Sequence, residues 1–326
     1  MQRRDFLRAS LAGATAALGL GGTIEQVAKG RVGADLPSIL RQRTARLRRL
    51  DDVLGGGDTF RLYQAEYETT KALVKSASTT ETVGKELLAV LAEQAQQAGW
   101  AAFDMGDHAR AVQLYKESHN LATTANSDSL VGNSLAFLAY VEILTNPASA
   151  VTIAEQSCSA IRPSAPRSAR ALLHERRAWA HAVAGNASAA DAALTAAKEA
   201  LREEEQSPQP DWSSWVDEQE LEIMTGRCWT ELRRPLRAVP VLEKVLRGFN
   251  DTHARDKALY SCWLADSYLM AGEVEAAAGV AANVLTLSAG VSSVRPRQRL
   301  KPVLETLQLN RNVPEVRAVL EQASGI

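Results

Sequence analysis

Cysteine is scarce in this chain. The three present, Cys158, Cys228 and Cys262, are odd in number, far apart and without a Cys-x-x-Cys spacing. Free buried thiols in a reducing compartment suit that pattern better than a disulfide scaffold. No apolar run reaches the ~18 residues that a spanning helix needs. Alternating Val, Ile and Thr stretches are also scarce, so no segment reads as a strand. The formal net charge of −1 gives no global pull toward nucleic acid. Catalytic signatures are missing as well: no serine in an elbow, no paired catalytic carboxylates, no nucleotide loop. Gly55-Gly56-Gly57 has neither a preceding strand nor a following Lys-Ser/Thr. His174 and His181 lie one heptad apart rather than at i, i+4, with no third ligand at a suitable spacing. The chain is therefore expected to be non-enzymatic, with no cofactor and no metal.

What is abundant is helix-forming sequence. The chain is 46% hydrophobic and rich in Ala, Leu, Glu, Arg and Gln. Its most informative stretch runs from Ala95 to Ser118. Gly99 precedes a turn at Gly106, Ala111 follows it, and Tyr115 comes after. This is the spacing of a tetratricopeptide repeat, in which two antiparallel helices meet at small residues and a bulky residue fills the gap to the next pair. Gly99 is expected against Ala111. The pattern recurs at Gly185 with Ala190 and at Gly272 with Ala277. Degenerate copies have turns at Thr145-Asn146-Pro147 with Ala150 and at Arg233-Arg234-Pro235 with Ala238. The alanines at 111, 150, 190, 238 and 277 are separated by 39, 40, 48 and 39 residues. The usual repeat is about 34, so these helices are long. The widest interval holds an apparent inserted loop, Glu203 to Trp215. The fold expected is all-α, a right-handed α-solenoid of antiparallel helix pairs over residues 36–326.

Residues 1–35 differ in composition and read as a linker or as a twin-arginine-like segment. Arg3-Arg4-Asp5-Phe6-Leu7 matches the motif core, and an Ala/Gly-rich run follows, but no Ala-x-Ala cleavage site is evident. The first ordered helix, Leu36 to Leu54, carries Arg41, Arg43, Arg46, Arg48 and Arg49 opposite an apolar face. That face could meet an acidic partner, or be answered by Asp51, Asp52 and carboxylates of the next helix. Gly55 to Gly57 reads as a helix stop, and Asp58 or Thr59 as the cap of the following helix.

A solenoid offers a concave groove lined by the first helix of each pair. Registering the pairs projects Glu93, Gln96, Gln97, Trp100 and Phe103 into it, then Asn133, then Glu175, Arg176 and Trp179, then Arg227. Aromatic, amide and charged groups together suit a peptide, a small amphipathic molecule or a protein partner. Equally, Trp100 and Trp179 could be core between repeats, and Glu175 and Arg176 could pair with neighbours. Two titratable groups with strongly perturbed pKa in one groove would reopen the question of catalysis.

Several stretches carry a resemblance: Arg46 to Asp52, Gly57 to Thr59 with Tyr63, Ala92 to Phe103, Asn133 to Tyr140 and Leu173 to Ala180. These resemble the tetratricopeptide-type regulatory region of bacterial XRE-family transcriptional regulators, over about residues 36–326. The function expected is regulatory: a ligand favours one curvature of the solenoid and so changes partner affinity, in a cytoplasmic protein that is a possible homodimer. In such regulators a helix-turn-helix domain precedes the array. Only about 35 residues precede it here, few for a compact domain, so this chain is not expected to read DNA directly. The resemblance also implies that the arginine pair is a linker remnant; export by the twin-arginine route, as a scaffold protein, is the alternative.

Overall fold

The structure is a computed structural model describing residues 33–205 and 207–325. The Arg3–Leu7 motif lies outside the described residues. Fourteen α-helices and no β-strand occur among them. In chain order they are α1 (Leu36–Leu54), α2 (Gly56–Ser76), α3 (Glu81–Asp104), α4 (His108–Thr124), α5 (Asp128–Glu142), α6 (Pro147–Ala160) and α7 (Arg167–Val183). The remainder are α8 (Ala187–Arg202), α9 (Glu218–Glu231), α10 (Pro235–Arg247), α11 (Ala254–Ala271), α12 (Val274–Ser288), α13 (Arg295–Leu307) and α14 (Pro314–Ser324). The most extensive packing joins neighbours in sequence: α2 on α3, α3 on α4, α5 on α6, α7 on α8, α9 on α10 and α11 on α12.

Local chemistry explains these boundaries. Thr80, Asp107, Asn146 and Asp217 each accept a hydrogen bond from the backbone N–H three residues on, capping α3, α4, α6 and α9. Gly106, Gly185 and Gly272 turn the chain at positive φ (+96°, +80° and +84°). Arg233 occupies the same left-handed region at the turn between α9 and α10, with φ 55°.

All five marker alanines are buried, Ala111, Ala150, Ala238 and Ala277 with no exposed surface. The partner expected for Gly99 is corrected, however. A Cβ on Gly99 would lie 2.5 Å from the Tyr115 ring, so the glycine makes room for that aromatic rather than for Ala111. Gly226 repeats the arrangement against Leu242, also at 2.5 Å. In both pairs the bulky residue sits one turn beyond the alanine, where an α-helix returns to the same face.

The start of α2 also differs from expectation. It begins at Gly56, ahead of Asp58 and Thr59, because its first N–H groups find distant partners. Gly56 N donates to Asp104 Oδ2 at 2.8 Å and Gly57 N to the Ser292 carbonyl at 2.9 Å. These contacts belong to a seam that brings the first helices against the α12–α13 loop. Ser292 N donates to the Leu54 carbonyl, and Val294 N to the Asp104 carbonyl at 3.0 Å. Asp104 Oδ1 accepts from Ser293 Oγ at 2.8 Å and lies 3.5 Å from Arg295 Nη1. Arg255 on α11 reaches Asp51 on α1 at 2.5 Å. The two sides of the array therefore meet around a central space.

No helix among the described residues is long and apolar enough to cross a membrane. Four of the five arginines of α1 named above are answered by carboxylates, Arg49 by Asp211 at 3.7 Å. Arg43 pairs with Glu66 at 2.6 Å, Arg41 with Glu86 at 3.4 Å, and Arg48 with both Glu93 and Asp211.

Candidate functional site

Within this ring of helices lies a cavity of about 580 Å³. Residues at helical spacing build its walls: Glu93, Gln96, Gln97 and Trp100 from α3, and Asn133, Ala136, Phe137 and Tyr140 from α5. Leu172 and Arg176 come from α7, Gln219, Glu220 and Arg227 from α9, and Arg255, Asp256 and Tyr260 from α11. Arg48, Arg49 and Asp51 of α1, Tyr63 of α2 and Arg295 of α13 complete the circuit.

The insert between α8 and α9 forms one side of the cavity. Asp211, Trp212, Ser214 and Trp215 line it. The insert is held by Arg48, which binds both Asp211 and Glu93. It is held again where Ser168 Oγ meets Gln209 Oε1 at 2.6 Å and Ser213 Oγ at 2.8 Å. Trp212 is buried, whereas Trp215, at the end of the insert, is 43% exposed. Helix α9 begins after it, capped by Asp217.

Seven of the ten residues read from sequence line the cavity: Glu93, Gln96, Gln97, Trp100, Asn133, Arg176 and Arg227. Several are already engaged. Gln96 Nε2 donates to Ser118 Oγ and the Leu130 carbonyl, both at 3.0 Å, and Asn133 Nδ2 donates to Gln96 Oε1 at 2.7 Å. Those amides tie α3, α4 and α5 together. Phe103, Glu175 and Trp179 are buried and do not line this cavity. Glu175 is fully buried beside Arg176, turned about 100° round α7. Phe103 stacks on Trp100 and His108. Trp179 packs between Tyr140 and the Arg227 guanidinium.

The centre of the site is Tyr140, which the sequence reading quoted without assigning a role. Its hydroxyl accepts from Arg295 Nη2 at 2.7 Å and Arg227 Nη2 at 3.2 Å. The Arg176 guanidinium lies 4.9 Å from its ring centroid. Burial alone would raise its pKa, but Arg295, Arg227 and Arg176 outweigh burial and pull the phenol down to about 8. Arg227 is 1% exposed, with its guanidinium 4.3 Å from the centroids of both Trp179 and Trp263. Arg295 stacks 4.5 Å over Trp100. Such cation–π contacts replace part of the hydration these cations lose.

Glu220 accepts from the Tyr260 hydroxyl at 3.1 Å. Burial pushes its carboxyl up to about 7, against the opposing pull of Arg176 and Arg227. Burial also raises Glu175 well above its ordinary range, with Glu220 adding to the effect, and neither Glu175 oxygen has a hydrogen-bond partner.

Tyr140 and Glu220 could have been found by continuing the spacing, since each lies seven residues from a candidate on its own helix, Asn133 and Arg227. Arg255 and Arg295 carry no such local signal; the seam brings them in. No group of three or more His, Cys, Asp or Glu side chains suited to a metal occurs among the described residues. His181 Nε2 instead meets Glu155 at 2.8 Å, and His174 Nδ1 lies 3.7 Å from Cys158 Sγ.

Compared with family models and with curated proteins, the chain matches none.

Proposed function

We propose that the chain is a non-catalytic regulatory protein that binds a small ligand or short peptide inside a right-handed, tetratricopeptide-like solenoid. On this reading it is related to the sensor region of XRE-type regulators and passes its signal to a protein partner. The observation that carries the reading is the cavity of about 580 Å³ at the centre of the helix ring. That volume falls within the range of pockets that bury small ligands, ~300–1,000 Å³. The same cavity touches α1, α3, α5, α7, α9, α11 and α13, so an occupant contacts both sides of the seam. Binding would favour the curvature that closes the ring and so change the surface offered to a partner.

The test is recovery of the occupant. Protein purified from its native host is denatured, and released small molecules and peptides are identified by mass spectrometry. A stoichiometric compound that raises the Tm of ligand-free protein is expected. Ala136→Trp, which fills the cavity from its wall, should abolish retention. Retention unaffected by that substitution, in protein that remains folded, would refute the reading.

A second reading, a hydrolytic or proton-transfer enzyme, draws on Tyr140 and Glu220, whose pKa values converge on one cavity. Both oxygens are already hydrogen-bonded within the protein, Tyr140 to two arginines and Glu220 to Tyr260. Turnover by the purified chain that disappears in both Tyr140→Phe and Glu220→Gln would favour this alternative.

A further inference from the structure

Resting on the ligand-receptor reading, the geometry points to the kind of ligand: we infer that the cavity takes an aromatic carboxylic acid, its carboxylate against Arg176 and its ring among Trp100, Phe137 and Trp215.

Most charged groups of the cavity already have partners. Asp51 is held by Arg255, and so is Asp256. Glu93 and Asp211 are held by Arg48, and Asp217 caps α9. Arg176 differs. It lines the cavity, is 9% exposed, and makes no hydrogen bond or ion pair among the described residues. Its guanidinium faces two π surfaces, Tyr140 at 4.9 Å and Trp215 at 5.9 Å, and attracts the Glu220 and Glu175 carboxyls without bonding to either. A cation removed from bulk water with its N–H groups unbonded is costly, and a bound carboxylate that accepts from them would relieve that cost.

The surroundings reinforce the preference. Arg227 and Arg295 both direct an N–H at the Tyr140 oxygen, so three guanidinium groups surround one phenol. The carboxyls that face Arg176 and Arg227, Glu220 and Glu175, are both shifted by burial toward their neutral forms, which leaves the arginines less compensated. Trp100 and Phe137 are 5.8 Å apart by ring centroid and, with Trp215 on the insert, supply aromatic surface beside the cationic centre. A neutral ligand would leave Arg176 unpaired. A highly charged polyphosphate would meet Glu93, Asp211 and Asp217 across the space.

The same chemistry could belong to a free aromatic acid or to the carboxy-terminal aromatic residue of a peptide. The test uses the full chain and two fluorescent probes of nearly the same shape, 8-anilinonaphthalene-1-sulfonate and the uncharged N-phenyl-1-naphthylamine. Saturable binding of the anionic probe at one site per chain is expected, about tenfold or more tighter than the neutral one. Arg176→Gln should weaken the anionic probe by about ten- to hundredfold at unchanged Tm, with Arg176→Lys restoring much of the loss. Exposed Arg61→Gln should have no effect. Displacement by 1-naphthoate but not 1-naphthamide is expected. Displacement also by acetyl-Ala-Ala-Trp acid would assign the site to a peptide end, and its failure would assign the site to a free acid. Equal affinity for both probes, insensitive to Arg176→Gln, would overturn the carboxylate assignment while leaving a receptor cavity. Failure of both probes to bind saturably would overturn both.

Discussion

Replacing Asp104 by alanine should open the seam between the first helices and the α12–α13 loop. The Asp104 side chain has no exposed surface, and its carboxylate serves three donors from separate parts of the chain: Gly56 N, Ser293 Oγ and the Arg295 guanidinium. Alanine leaves those donors facing a void in a buried setting. Removing one member of a buried charged network costs about 3–5 kcal/mol. Global stability is typically ~5–15 kcal/mol, so this is a large share. Arg295 keeps its bond to the Tyr140 hydroxyl at 2.7 Å, so the loss should concentrate at the seam. Urea unfolding followed by circular dichroism measures the total. Hydrogen exchange locates it: the amides of Gly57 and Val294, which donate across the seam, should lose protection far more than amides within α7. Asp104→Asn keeps the shape and one acceptor oxygen but turns an NH₂ toward a donor, so an intermediate loss is expected. A loss below about 1 kcal/mol for the alanine variant, with Gly57 and Val294 still protected, would refute the argument that this carboxylate holds the ring together.

Gly99→Ala should destabilise by about 1–3 kcal/mol in thermal or urea unfolding, because the added methyl meets the buried Tyr115 ring at 2.5 Å. An alkaline titration followed by phenolate absorbance should show one early tyrosine with a midpoint near pH 8, absent in Tyr140→Phe. The other five, Tyr63, Tyr67, Tyr115, Tyr260 and Tyr268, are all shifted upward. Because the folded Tyr140 pKa lies below the ordinary value of 10.0, its ionisation adds stability as pH rises from about 8 toward 10, and that contribution is lost as pH falls through about 8. Glu220 has the opposite sign. Its folded pKa is raised from 4.5 to about 7, so its contribution is full below 4.5 and lost as pH rises through about 7. Glu220→Gln should therefore flatten the fall in Tm across that window.

The helix pairs were legible because their causes are local. The glycine turns at 106, 185 and 272, the caps and the periodic alanines each act within a few residues. Gly99 was recognised as a close-approach position but assigned the wrong neighbour, since linear spacing does not say which side chain enters the groove one turn on. The cavity wall was partly legible for the same reason. Glu93, Gln97 and Trp100 share a face by helical spacing, whereas Phe103, Glu175 and Trp179 lie on flanks given to core packing. Arg255 and Arg295 were not legible. Their place in the site depends on contacts between residues roughly 200 positions apart, such as Asp51 with Arg255, that no periodicity encodes. The opposite fate of Arg48 makes the same point: its partner on the insert, Asp211, is 163 residues away.

In most tandem-helix proteins each unit leans only on the units beside it, so loosening at one extremity stays there. Here the first described helix also rests on the eleventh, through Arg255 and Asp51. Mechanically the array is a hoop rather than a spring. Slack introduced at any joint must be shared around the whole circumference, and a tight fit at the hub stiffens every joint together.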